Sequence, residues 1–211
     1  LRLKEGKWLG VACDALAAHV WPAMLAVSTA AHLGVRMSSR PLVLSLLAWS
    51  GAAGVRGILS HQLHTAERDR LAGLVTVVHD FGRLPLERFI TRALLPIELC
   101  GFVAAITLCD VGPALVVFGG LYLACEAFKA LAGGFEVTAF RPQGQLYIPF
   151  VEESFYKGWG PFVIAADAAR HDARFLLVAL GYLLLFRPHV YAELRRLRAV
   201  AGVLRQGAPS T

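Results

Sequence analysis

Residues 41–76 read PLVLSLLAWSGAAGVRGILSHQLHTAERDRLAGLVT. From Pro41 to Leu63 the stretch is almost wholly apolar. At about 1.5 Å per residue, a helix of that length crosses the roughly 30 Å hydrocarbon core of a bilayer. The character then changes within one turn, to His64, Thr65, Glu67, Arg68, Asp69 and Arg70. A helix running on through this change leaves the membrane at its polar end. One arginine, Arg56, lies inside the apolar part, where a charge is costly without a partner.

Outward from this stretch the same pattern recurs. Trp8 to Leu33, Phe89 to Cys109 and Gly112 to Ala132 are each long and apolar enough to span. A fifth candidate, Phe155 to Ala169, is short and broken by Gly158, Gly160 and Pro161. A sixth, Phe175 to Phe186, is only about half a span, so the last two are expected as tilted helices or a re-entrant pair. The fold class expected is therefore all-α, a polytopic membrane bundle of five or six transmembrane helices. Residues 1–188 form the transmembrane domain and residues 189–211 a basic tail. In that tail Val190, Leu194, Leu197, Ala201 and Leu204 recur at helical spacing opposite arginines, the pattern of an amphipathic helix on a membrane surface or a partner.

Basic residues assign the sides. Arg2, Lys4 and Lys7 precede the first span, and Arg68, Arg70, Arg83 and Arg88 lie between the second and third. The turn Asp110-Val111-Gly112-Pro113 has none. The N-terminus and the 64–88 loop are thus expected together in the cytoplasm, in a bacterial inner membrane. Arg36 and Arg40 on the other side run against the rule. Arg187, Arg195, Arg196, Arg198 and Arg205 put the tail in the cytoplasm if the number of spans is even.

Composition agrees: 56% of the 211 residues are hydrophobic, only 17% are charged, and the mean hydropathy is +0.56. The net charge of +6 does not point to nucleic acid, because the arginines border apolar segments and form no stripe interleaved with aromatics. Anionic lipid headgroups are the partner such charges predict. Cys13, Cys100, Cys109 and Cys125 lie in apolar stretches without a CxxC pair, and read as small hydrophobes. Leu1 to Lys7 enter the first span without a cleavage-site pattern, and the opening Leu implies processing or a start inside a longer chain.

In a continuous helix His61, Thr65 and Asp69 share a face, with Gln62 and Arg56 within a turn or two. Reading from Gln62 to Thr76, Glu67, Asp69, Gly73 and Thr76 match the second aspartate-rich motif of the UbiA superfamily of intramembrane prenyltransferases, roughly Asp-x-x-Asp-x-Glu-x-Asp-x-x-x-Gly-x-x-Thr. Phe81-Gly82 suits the loop that follows. The chain so resembles the C-terminal half of such an enzyme. The resemblance implies a lipid-open bundle in which Glu67 and Asp69, with Gln62, Thr65 and Arg56, hold an isoprenyl diphosphate through Mg²⁺. Arg70, Arg141 and Lys157 are secondary candidates.

The departures are as informative. Gln62 and Thr65 stand where the family has Asp, and no copy of its first aspartate motif is present. Mg²⁺ prefers anionic oxygen ligands. Two readings follow: a degenerate, non-catalytic relative that holds lipid, isoprenoid or pigment tails as a subunit of a larger membrane complex, or the C-terminal part of an active Mg²⁺-dependent prenyltransferase. The spans show neither a ring of like charges nor matching broken helices, so a channel or transporter has little support.

The remaining polar residues have structural expectations. Arg56 pairs with Asp14, with Glu98, or with a phosphate. Glu126 and Lys129 pair as an i, i+3 contact. Asp14, His19 and Pro22 mark a kink or an interior polar contact. Tyr147, Phe155, Tyr156 and Trp159 suit an interfacial aromatic belt. The segment from Gly133 to Ser154, with Arg141, Gln143, Glu152 and Glu153, is a candidate cover for the site. His61 and His64 are spaced i, i+3 without a third ligand.

Overall fold

A proline two residues past a widened turn shapes two of the long helices. A computed structural model of the chain describes residues 7–34, 39–109, 113–133, 136–138, 147–149, 155 and 159–205. Helix α1 runs over Trp8–His32 and α2 over Arg40–Leu71, followed by a short α3 at Val77–Phe81 and by α4 at Arg83–Leu108. Within α1, Leu16–Val20 forms a π-helical turn just before Pro22; within α4, Ile90–Leu94 does the same before Pro96. A proline donates no N–H and its ring presses on the carbonyl four residues back, here Ala18 and Arg92. Both carbonyls fall inside the π turns, which make room for the ring. The expected irregularity at Pro22 is thus a π turn in an unbroken span.

The chain divides into two compact units, residues 1–110 and 111–211. In the first, α2 is the central element, packed along α4 and against α1. Two glycines allow this. A Cβ on Gly101 of α4 would lie 2.7 Å from the Trp49 backbone N and 3.0 Å from the Ser45 carbonyl O on α2. A Cβ on Gly54 of α2 would lie 3.1 Å from Ala15 Cα on α1. Without an apolar solvent contrast to drive helices together inside a bilayer, such small-residue seams let backbones meet and gain dispersion contacts.

The polar end of α2 stops for local reasons. Gly73 adopts φ +69°, and the backbone N–H groups of Leu74 and Gly73 donate to the carbonyls of Asp69 and Arg70, the paired bonds of a Schellman C-cap. Thr76 then caps α3 in a capping box with His79. Lys7 reaches Asp80 of α3 at 2.6 Å, and the Trp8 ring meets those of Phe81 and Phe89 edge-on at 5.6 and 6.1 Å. The start of α1 and the α2–α4 connection therefore lie at one end of the bundle, as the basic flanks predict.

The second unit contains α5 (Pro113–Gly133), a parallel pair of three-residue strands, β1 (Glu136–Thr138) and β2 (Tyr147–Pro149), and then α6 (Gly160–Ala168), α7 (Arg174–Leu185) and α8 (Arg187–Arg205). Asp172, two residues before α7, accepts from the Arg174 backbone N–H at 3.0 Å. The Arg174 guanidinium beside it, and then the Arg174 backbone N–H, hold its carboxyl below the usual range. Helix α5 packs on α6 and α8, with Val200 of α8 buried against Ala130 and Ala132.

Four helices, α1, α2, α4 and α5, are long and apolar enough to cross a membrane. A fifth crossing is available if α7 and the 190–203 part of α8, bent by 59°, count as one broken span. Of the fifth candidate, Phe155 to Ala169, the described helix covers Gly160–Ala168, nine residues or about 14 Å, and residues 156–158 lie outside the described residues. Among the described residues the count is therefore four, or five with that broken pair, and not six. The aromatic belt is corrected as well. Phe155 is buried, its ring 5.2 Å from Tyr122 and 6.5 Å from Phe118 of α5, and Trp159 lies 6.0 Å from Phe118. These rings pack together beside α5, where they bury large apolar area. The side chains of Tyr147 and Tyr156 lie outside the described residues.

Candidate functional site

Successive residues of an α-helix are turned by about 100°, so the polar end of α2 cannot aim all its groups one way. Gln62 and Asp69, seven residues apart, point inward and are buried, with Thr65 half-buried between them. The Thr65 hydroxyl donates to Asp69 Oδ2 at 2.7 Å, with the His61 carbonyl at 3.1 Å as its alternative acceptor. The predicted Thr65–Asp69 face is thus formed. His61 and His64 are exposed.

Glu67 is turned away from this face. It lies out at the surface and accepts from Arg70, Nη2 to Oε1 at 2.7 Å and Nε to Oε2 at 3.1 Å. The two carboxylates of the candidate Mg²⁺ set, Glu67 and Asp69, are two residues apart and project to opposite sides of the helix. Among the described residues no group of three or more His, Cys, Asp or Glu is placed to hold a metal ion. A divalent cation needs several convergent oxygens, and these residues do not fit one. Gly73 and Thr76, the other matched positions, carry the helix stop and the next helix start.

Arg56 lies at the midpoint of α2, about 22 Å by rise from Leu71. Its partner is Glu98 of α4, with Nε to Oε2 at 2.6 Å and Nη2 to Oε1 at 2.8 Å, a bidentate fork with both side chains 1% exposed. Of the three expected partners, Asp14 is not used: it is exposed on α1. Glu98 comes to the same depth because it lies 15 residues after Arg83, as Arg56 lies 15 before Leu71 in the antiparallel neighbour. In the second unit the predicted Glu126–Lys129 pair forms at 2.6 Å, buried.

Among the described residues Gln62 Oε1 is buried without a hydrogen-bond partner, as are Ser60 Oγ and Glu126 Oε2. Leaving an amide oxygen so costs about 1–3 kcal/mol. Replacing Gln62 with leucine is therefore expected to leave the thermal midpoint in detergent unchanged or raise it by a few degrees. A lowered midpoint would show that the amide makes a bond the protein depends on. Arg141 and Lys157 lie outside the described residues, as does most of the Gly133–Ser154 segment. His79 was not anticipated, although its position three residues after Thr76 is capping-box spacing. The four cysteines are free thiols.

No family model, curated protein or solved structure matches this chain.

Proposed function

We propose that the chain is a non-catalytic membrane subunit, a degenerate UbiA-like helical scaffold that holds lipid, isoprenoid or pigment tails and packs within a larger membrane complex. Its setting on this reading is a bacterial inner membrane with the 64–88 segment cytoplasmic. The observation that carries the reading is the divergence of the ionic groups in residues 56–70. Asp69 turns inward to Thr65, Glu67 turns outward to Arg70, and Arg56 is forked to Glu98. A diphosphate would need these groups convergent, and held so before it arrives. Large apolar side chains such as Trp21, Leu25, Leu44 and Leu121 remain exposed along the long helices, which suits contact with acyl or isoprenoid chains.

The test is transfer of a radiolabelled isoprenyl group from its diphosphate to lipid-soluble acceptors, with Mg²⁺, by the purified chain and its Asp69→Asn variant. No transfer above the protein-free control is expected from either. Turnover by the parent that Asp69→Asn abolishes would overturn the reading and establish the active prenyltransferase in its place.

A further inference from the structure

Helix α8 buries the wrong side for its most apolar stripe. The sequence places Leu194 and Leu197 on its apolar face, yet both are more than 40% exposed, and the residue buried against α5 is Val200. About 200° around the helix from Val200 stands Arg198, at 100° per residue. With it lie Arg187, Tyr191 and Arg195, at successive spacings of four, four and three residues along the helix, so that all share one side. These residues, with Pro188 and Leu194, line an open groove of about 540 Å³. The arginines and Tyr191 are exposed, and among the described side chains no carboxylate lines the groove.

From this arrangement we propose that α8 is a headgroup site for anionic phospholipid, with the phosphate seated among Arg187, Arg195 and Arg198. Three observations select this occupant. Guanidinium groups match phosphate oxygens in charge and in their planar donor geometry. Leu194 and Leu197 lie beside the arginines, uncovered, and offer the acyl region an apolar contact that a free phosphate would leave wet. The groove also begins directly after α7, whose Leu176, Leu177, Leu184 and Leu185 are exposed as a lipid-facing helix requires, and α8 turns from it by 59°. The groove thus opens where an apolar helix ends, the depth at which headgroups lie. This site does not depend on whether the chain is a catalyst or a scaffold.

The experiment is native mass spectrometry of the full chain in neutral detergent. It is titrated with phosphatidylglycerol or with phosphatidylcholine of identical acyl chains. A basic residue at an anionic lipid surface contributes about fivefold in partitioning, so removing three is expected to lower the preference for phosphatidylglycerol by up to on the order of a hundredfold. The variant is Arg187→Gln/Arg195→Gln/Arg198→Gln; its side chains are exposed, so the fold is retained. A charge-matched variant, Arg68→Gln/Arg83→Gln/Arg88→Gln, leaves the groove intact and is expected to keep the preference. Equal loss in both variants would overturn the site in favour of general net charge. So would a parent chain without preference, or displacement of phosphatidylglycerol by an equal concentration of inorganic phosphate.

Discussion

Replacing Arg56 alone with methionine is expected to destabilise the first unit by about 3–5 kcal/mol, read as a lowered thermal midpoint of the purified protein in detergent. The cost comes from what remains. Glu98 is 1% exposed and accepts both bonds of the guanidinium fork, so its carboxylate would be left charged in a dry seam. Glu98→Leu should cost a similar amount, because it leaves the buried Arg56 guanidinium without the carboxylate that accepts its fork. The double variant Arg56→Met/Glu98→Leu should recover most of the loss, since a packed apolar pair removes both desolvation penalties at once. A double variant as unstable as the two singles summed would mean that the helices depend on these residues for something other than each other.

Gly101→Ala is the second large effect. The added methyl would stand 2.7 Å from the Trp49 nitrogen and 3.1 Å from its Cα, and backbone cannot rotate aside. Helices α2 and α4 must separate, at a cost of about 1–3 kcal/mol for one methyl group and more for Gly101→Leu. Glu98 precedes Gly101 by one turn, so separation there also draws the carboxylate away from Arg56. Gly57→Ala supplies the contrast, with nothing within 4 Å of its new Cβ. Relieved of a helix-interior glycine, that variant should gain about 0.5–1 kcal/mol. Equal midpoints for the two alanine variants would remove the close seam as an explanation of α2–α4 packing.

Buried position and fork geometry also decide what Arg56 is available for. An arginine in an apolar span invites a reading as a phosphate ligand, and spacing alone cannot separate that from structural pairing. The fork to Glu98 occupies its Nε and one terminal nitrogen. The matched motif is resolved in a similar way. Gly73 stops a helix through its left-handed φ and Thr76 starts the next through its cap, so a glycine and a threonine three apart have a backbone role with or without a ligand.

What the sequence by itself determined was set by short-range chemistry. The four long apolar helices follow from uninterrupted hydrophobic length, since inside a bilayer every backbone group must be bonded within its own segment. The disturbance at Pro22 and the i, i+3 pairing of Glu126 with Lys129 involve neighbours along the chain, and each was legible from spacing. What the tertiary structure alone decided involves partners far apart in sequence or choices between equivalent faces. Asp14 and Glu98 are both carboxylates in apolar spans, and only the antiparallel register of α2 and α4 brings Glu98, 42 residues away, to the depth of Arg56. Phe155 reads as an interfacial ring until α5 supplies Phe118 and Tyr122 to enclose it. In α8 the periodicity names Leu194 and Leu197, whereas burial falls on Val200, because the small residues Ala130 and Ala132 of α5 admit close approach there. Periodicity along one helix shows which residues share a side; which side is covered depends on the surface that another helix presents.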